Sequence, residues 1–135
     1  MDLTEAKEVA IELTKQLAPE STEAVEEGFD GLAEAEFRVP SSVPQHAFHI
    51  PPETWTYAQS LAVFVGGIFA DAAKDVLKKK LAQILSKLLK RREKVEKEER
   101  EVIIKAAETE GKRLRIPKEH RQRLASDLQK LTGTP

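Results

Sequence analysis

Histidine is the side chain in this sequence best suited to metal binding or proton transfer, and the chain has three. His46 and His49, with Glu53 downstream, are of the residue types that bind zinc. Three-residue spacing aligns two ligands on a helix, whereas prolines bound this stretch and favour an extended chain. No serine stands in a nucleophile-elbow sequence, and no pair of carboxylates stands out from the general acidity. We therefore predict no enzyme activity, no cofactor and no metal site.

The strongest candidate for function is a basic, leucine-rich segment in the second half of the chain. Residues 74–94 contain nine basic side chains and two acidic ones. Leucine and isoleucine recur there on one stripe at coiled-coil spacing, with lysines opposite. Such a helix is typical of a surface that docks into an acidic partner or lies on an anionic membrane. The candidate interaction surface comprises Leu77, Leu81, Ile84, Leu88, Lys78, Lys79, Lys80, Lys87, Lys90, Arg91 and Arg92.

A second basic cluster lies nearer the C-terminus, where six basic side chains are opposed only by Glu119. Arginines on a strand followed by arginines on a helix can track phosphates. No aromatic residue is interleaved for base stacking, however, and neither a helix-turn-helix nor a glycine-rich phosphate loop accompanies the cluster. Nucleic acid is therefore the least favoured partner. The candidate phosphate contacts are Lys112, Arg113, Arg115, Lys118, Arg121 and Arg123.

The most apolar part of the chain is residues 61–70, which contain no polar side chain. A membrane span needs about 20 such residues, so this run is too short to cross a bilayer alone. We predict a central core helix. The alternative is a membrane-associating protein that inserts this run and lays residues 74–92 on anionic lipid, with Trp55 and Tyr57 placed as interfacial anchors.

Charge is distributed unevenly along the chain. Residues 1–59 carry a net charge of −9 and residues 60–135 a net charge of +8. This asymmetry indicates either a polyanion-binding half or two halves that attract each other within one domain, and we favour the second. At 135 residues and 40% hydrophobic composition, the chain is predicted to fold as a single domain. The absence of cysteine and of a signal-peptide pattern predicts a cytoplasmic protein.

The elements that must position these residues follow from hydrophobic periodicity. Residues 1–33 are predicted as an acidic helical segment, with one helix over about 3–17, where a strand is a weaker option, and a shorter helix after Ser21. Residues 34–52 are predicted as a proline-bounded β or extended segment that forms a loose hairpin. Residues 54–100 are predicted as one long helix, unless the paired glycines within it break it in two.

The last segment, residues 101–135, is predicted as a hairpin followed by a closing helix. Val102 and Ile104 alternate with polar residues before a Glu-Thr-Glu-Gly turn, although the same residues can prolong the helix. Pro117 suits the first turn of the last helix, and Gly133 suits its end. The predicted fold is α+β and mainly helical, with one long central helix, short β-hairpins and flanking helices; an all-α bundle is the alternative. The predicted function is a non-enzymatic protein-interaction module that self-associates through the basic leucine-rich helix.

Overall fold

All regular secondary structure of the described residues is helical. The computed structural model describes residues 3–34, 37 and 56–133, and within them it has six α-helices, one short 3₁₀ helix and no strand. The fold is therefore all-α, as the alternative prediction had it, and the α+β prediction with its hairpins is wrong. The elements are α1 (Thr4–Leu17), the 3₁₀ turn Pro19–Ser21, α2 (Thr22–Glu34), α3 (Tyr57–Asp71), α4 (Val76–Leu89), α5 (Lys97–Arg113) and α6 (Lys118–Thr132).

Three of these helices lie where the sequence predicted them. α1 and α2 occupy the acidic segment, and the strand option for the first of them is wrong. α2 buries Val25 and Phe29, which share one helical face. α6 follows Pro117 and ends before Gly133. Amphipathic periodicity was therefore sufficient to locate these helices, each of which packs one face against the core. The hairpin predicted over residues 34–52 lies, apart from residues 34 and 37, outside the described residues.

The hairpin predicted near the C-terminus is replaced by α5. This helix continues through the Glu-Thr-Glu-Gly sequence, where a Cβ on Gly111 would lie 2.7 Å from the Arg121 side chain of α6. The glycine therefore permits close packing of α5 and α6 rather than a turn. Ile103 is fully buried, whereas Val102 and Ile104, whose alternation favoured a strand, are only partly buried.

The single long helix predicted over residues 54–100 is divided among α3, α4 and the start of α5. α3 runs through the paired glycines without a break, and the chain first turns at residues 72–75. Asp75 then starts α4, because its carboxylate accepts hydrogen bonds from two first-turn N–H groups at 2.8 and 3.2 Å. A second interruption, at residues 90–96, separates α4 from α5.

α3 is the central helix and is enclosed by its neighbours. It packs against α1, α2, α4, α5 and α6, and every residue from 60 to 68 is buried. The run predicted as a core helix therefore forms the centre of the hydrophobic core, where burial of apolar surface is the main stabilising contribution. The residues of this run with no exposed surface at all are Leu61, Ala62, Val63, Phe64, Val65 and Ile68.

Two glycines let neighbouring side chains reach the backbone of α3. A Cβ on Gly66 would lie 2.1 Å from the ring of Phe37, and a Cβ on Gly67 would lie 2.7 Å from Leu114. Phe37 is 2% exposed and its ring centroid lies 5.3 Å from that of Phe29. The glycines are thus used for packing within the chain, and any larger residue would displace the side chains above them.

Candidate functional site

The leucine stripe of α4 is largely covered by the chain itself. Leu81 and Ile84 are each 1% exposed, and Leu88 is partly buried against the core. α1, α3 and α5 pack over this face. Leu77, in the first turn of α4, is 53% exposed. Of the four apolar residues of the predicted interaction surface, Leu77 is therefore the one that remains open to a partner.

The basic side chains at the end of α4 meet the acidic side chains of α1. The Nζ atom of Lys90 lies 3.0 Å from a carboxylate oxygen of Glu8, and Arg92 lies 3.3 Å from Glu12. The hydrogen bond with Glu8 is the main cause that raises the pKa of Lys90 above its ordinary value. The acidic and basic halves of the chain therefore attract each other within the fold at this point.

Two further lysines of the predicted surface anchor α4 to α5. Lys78 is buried and its Nζ atom lies 3.1 Å from the equally buried carboxylate of Glu110. Lys87 lies 2.9 Å from Glu99. The backbone N–H of Glu96, followed by Lys87, lowers the pKa of Glu99. Removing one member of the buried pair would leave the other charge uncompensated, so these lysines hold the fold together.

The start of α4 is different, because, apart from Asp75 and Lys78, its side chains are exposed and form no ion pair with a described residue. Val76 and Leu77 are 87% and 53% exposed, and they are the large hydrophobic residues that stand exposed in the part of the chain that the structure describes. Three exposed lysines surround them, and these form no ion pair with any described residue. We call the following five residues the basic patch: Lys74, Val76, Leu77, Lys79 and Lys80.

An apolar groove adjoins the basic patch along α4. Phe69, Ala72 and Ala82 line it with apolar atoms, and its volume is about 490 Å³. Lys79, Lys90 and Arg91 also line it, together with one carboxylate, that of Glu5. The ion pair of Arg91 with Glu93 is long, at 3.9 Å. Groove and patch together combine apolar contact with a positive border, which is typical of a surface that receives an amphipathic acidic segment.

Two arginines of the C-terminal basic cluster are engaged within the fold. Arg113 bridges α5 to the end of α3, with 2.8 Å to Glu110 and 3.0 Å to Asp71. Arg121 donates a 2.7 Å hydrogen bond to the carbonyl of Ile116 and packs its stem over α5. Both guanidinium groups therefore stabilise contacts between helices, which competes with binding of a phosphate.

The remaining four residues of that cluster are divided between ion pairs and solvent. Lys112 lies 3.7 Å from Glu108 and Arg123 lies 3.7 Å from Asp127. Arg115 and Lys118 are exposed and form no ion pair with a described residue. A continuous phosphate-binding surface would need more free cations than these two, since each phosphate contact needs its own charge.

A polar cluster joins the start of α3 to α6. The hydroxyl of Tyr57 donates a 2.8 Å hydrogen bond to Asp127, and the guanidinium of Arg123 lies 4.0 Å from the centroid of the Tyr57 ring. The Oγ atom of Ser60 lies 2.8 Å from Nδ1 of His120. Burial raises the pKa of Tyr57, so the phenol stays a donor, and burial lowers the pKa of His120.

The contact between Ser60 and His120 resembles that of a nucleophile with its base, but the surroundings are those of a structural contact. Ser60 is 1% exposed, so a substrate has no access to its hydroxyl. A hydrolytic site would require a carboxylate that orients the imidazole of His120. The carboxylate of Asp127 instead accepts a hydrogen bond from Tyr57. The pair therefore fixes α3 against α6. Because its members are 60 positions apart, the sequence carried no signal for it.

The described residues form neither a metal-binding cluster nor a helix that could span a membrane. Within the described ranges, no cluster of histidine, aspartate or glutamate is arranged to hold a metal ion. His46, His49 and Glu53, which were considered as metal ligands and rejected on their spacing, lie outside those ranges, as does Trp55. No helix of the described residues has the length and apolar character needed to cross a membrane. Membrane contact by residues 61–68 would require α3 to leave the core, since these residues are buried.

The chain has no detectable relative in the comparisons with known proteins. No protein-family model, no curated protein and no solved structure matches this chain. The candidate site is therefore defined by its own geometry: two exposed apolar side chains at the start of α4, three unpaired lysines, and a groove with an apolar floor.

Proposed function

We propose that this chain is a non-enzymatic protein-interaction module that docks an acidic partner on the basic patch. The observation that carries this proposal is the exposure of Val76 and Leu77 side by side, at 87% and 53%, among lysines without ion pairs. The proposal places the protein in the cytoplasm, as its cysteine-free composition predicts.

The chemistry of the basic patch suits a partner that presents carboxylates around an apolar contact. Burial of Val76 and Leu77 against such a partner removes apolar surface from water. The surrounding lysines keep their flexible stems free and attract carboxylates over several ångströms, which favours encounter and orientation. Asp75, the acidic residue within this region, accepts hydrogen bonds from the first turn of α4, and the backbone N–H of Lys78 is the main cause that lowers its pKa.

The proposed contact surface uses the exposed start of the leucine stripe and none of its buried residues. Leu81 and Ile84 are core residues, so a partner that used them would have to displace α1 or α5. The exposed end of α4 needs no such rearrangement. Interaction on a preformed surface is also the less costly mode, because no helix has to be unpacked first.

The proposal can be tested with a peptide probe of defined chemistry. The probe is a labelled amphipathic helix with leucines on one face and glutamates on the other, and the control peptide has lysines in place of the glutamates. Fluorescence anisotropy should show binding of the acidic peptide that weakens as salt is added. The variant Val76→Ser/Leu77→Ser should bind about tenfold more weakly or worse, because truncated central contacts dominate such interfaces.

A matched charge control separates the basic patch from general positive charge. Lys79→Glu/Lys80→Glu should abolish binding, whereas Lys118→Glu/Lys130→Glu, which changes two exposed lysines of α6 by the same amount, should leave it intact. Circular dichroism of each variant should match the native chain. Equal binding of both peptides, or undiminished binding by the patch variants, would contradict the proposal. A native chain that floats with anionic vesicles and does not bind the acidic peptide would support the membrane alternative.

A further inference from the structure

The outer surface of α2 is acidic and almost free of ion pairs. Residues 18–36 contain no lysine, arginine or histidine. Among the described residues, the one ion pair on this surface joins Asp30 to Lys7 at 4.0 Å, and Asp30 stays 84% exposed. We call the following exposed residues the acidic face: Glu20, Glu23, Glu26, Glu27, Asp30 and Glu34.

A strip of small residues runs along α2 beside the acidic face. Ala24, Gly28 and Gly31 follow one another at four- and three-residue spacing, so they share one line of the helix, and all three are exposed. Glycine lowers helix stability. Two glycines on the same side of α2 in successive turns therefore call for an explanation. A Cβ added to Gly28 or Gly31 would meet no atom of the described residues within 4 Å.

The other helical glycines have a packing partner inside the chain, and this distinguishes them from the α2 pair. A Cβ on Gly66, Gly67 or Gly111 would lie 2.1, 2.7 and 2.7 Å, respectively, from a neighbouring side chain. No described residue packs against Gly28 or Gly31 in that way. A flat strip bordered by carboxylates is, in shape and charge, the complement of two protruding apolar side chains bordered by lysines.

The acidic face and the basic patch are on different elements that do not pack together. α2 packs against α1 and α3, whereas α4 packs against α3, α1 and α5. Among the described residues, the carboxylates of other helices that form ion pairs with α4 or with Lys90 at its end belong to α1 and α5. The acidic face is therefore free to meet the basic patch of another molecule.

We infer that the occupant of the basic patch is the acidic face of a second copy of this chain, with Val76 and Leu77 seated on the strip of Ala24, Gly28 and Gly31. This inference rests on the proposed function, since it names the partner of the same patch. Pairing of two basic patches would bring lysine against lysine, so the contact joins the basic patch of one copy to the acidic face of the other. Two copies that make this contact reciprocally form a closed two-fold dimer, and copies that make it in one direction continue to associate until a ring closes or a filament forms.

Sedimentation velocity of the full chain tests this arrangement with two charge reversals. At low salt the native chain should sediment as species larger than a monomer, in proportions that rise with concentration and fall as salt is added. Lys79→Glu/Lys80→Glu and Glu23→Lys/Glu27→Lys should each sediment as monomers. An equimolar mixture of the two variants should associate again, because each supplies the surface that the other has lost. Lys118→Glu/Lys130→Glu should behave as the native chain.

A steric variant tests the strip without a change of charge. Gly28→Gln places an uncharged side chain on an exposed helical position, so the monomer should fold as before and its circular dichroism should be unchanged. Its association should weaken about tenfold or more, because the added side chain prevents close approach. Ser126→Gln, which places the same side chain on an exposed position of α6 outside both surfaces, serves as the control and should associate as the native chain does.

The outcomes separate this inference from the proposed function. A native chain that stays monomeric at every concentration in low salt, while the acidic peptide still binds the basic patch, overturns the second copy as partner and leaves the proposed function standing. Association that survives Glu23→Lys/Glu27→Lys also overturns it. Absence of both peptide binding and association overturns the two together.

Discussion

α1 and α2 are both acidic helices of similar length, yet their carboxylates have opposite fates. Glu8 and Glu12 of α1 lie within 3.0 and 3.3 Å of basic side chains at the end of α4. The carboxylates of α2 are exposed, and the 4.0 Å contact between Asp30 and Lys7 is their one ion pair with a described residue. α1 also carries two lysines and a net charge of −1, whereas α2 carries no basic side chain and a net charge of −5. The two helices differ as well in the helix that the core places opposite each of them.

The buried residues of each helix determine which neighbouring helix its carboxylates can reach. α1 buries Ala6, Val9, Ala10 and Leu13 with no exposed surface, so two alanines let it lie close against α3 and bring its glutamates beside α4. α2 buries mainly Val25 and Phe29 and touches α1 and α3 without reaching α4. Acidic sequence in a helix therefore says little about its partner until the packing of its apolar face is known.

The largest expected effect distinguishes the two helices by burial. Leu13→Ala in α1 should lower the free energy of unfolding by about 2–5 kcal/mol, because it leaves a cavity in the core. Leu32→Ala in α2 removes the same atoms from a partly buried site and should cost less. Urea denaturation followed by circular dichroism measures both. Equal losses would show that α2 is as deeply embedded as α1.

Glycine and alanine exchanges should change stability in opposite directions in the two helices. Gly28→Ala in α2 should raise the free energy of unfolding by about 0.5–1 kcal/mol, because its Cβ meets nothing and the helix gains propensity. Ala10→Gly in α1 should lower it by at least about 1 kcal/mol, since a fully buried methyl group is lost as well. Urea denaturation at high salt and low protein concentration isolates the monomer. A loss of stability in Gly28→Ala would mean that this position is packed.

Neutralising one glutamate in each helix should have smaller effects of opposite sign. Glu8→Gln removes the partner of Lys90 and should lower stability at low salt, with the difference vanishing at high salt. Glu27→Gln relieves repulsion from Glu23 and Asp30 on the same helix and should leave stability unchanged or slightly raised. The urea midpoints at low and high salt give the comparison. A salt-sensitive loss in the α2 variant would contradict it.

The smallest expected effect concerns alkaline pH and the pairing of α1 with α4. The hydrogen bond with Glu8 raises the pKa of Lys90 above 10.5, so the unfolded chain releases that proton at a lower pH than the folded chain does. The stabilising contribution is therefore complete below pH 10.5 and is lost as the pH rises through the folded pKa. The difference in urea midpoint between the native chain and Lys90→Gln should shrink above pH 10.5. A constant difference would mean that the pair contributes nothing to folding.

Several elements were predictable because a local pattern and the core agreed. α1, α2 and α6 each carry an apolar face at helical spacing, and α3 is apolar on all faces because helices surround it. The division of the predicted long helix was harder. Asp75 has the residue type of an N-cap, and this was the available signal for the start of α4. Residues 90–96 consist mostly of good helix formers, so the sequence carried no signal for the interruption, in which Arg92 takes a positive φ of 54°.

The site was only partly predictable for the same reason. The lysines and leucines of α4 were identified from their spacing, but periodicity cannot show which end of a stripe the rest of the chain covers. Leu81 is 1% exposed and Leu77 is 53% exposed, although both belong to the same predicted stripe. The glycines of α2 predicted only a weaker helix. Their place on an exposed line with Ala24 becomes visible once α2 is known to be helical throughout.

The enclosure of α3 also has a consequence for biosynthesis. The ribosome releases residues 61–68 after α1 and α2, while α4, α5 and α6, which also cover them, are still to be made. The contacts that close the other side, such as Ser60 with His120 and Gly67 with Leu114, come last. A nascent chain that stalls before α6 therefore displays the most apolar segment of the molecule. Chaperone binding and aggregation should concentrate in that interval.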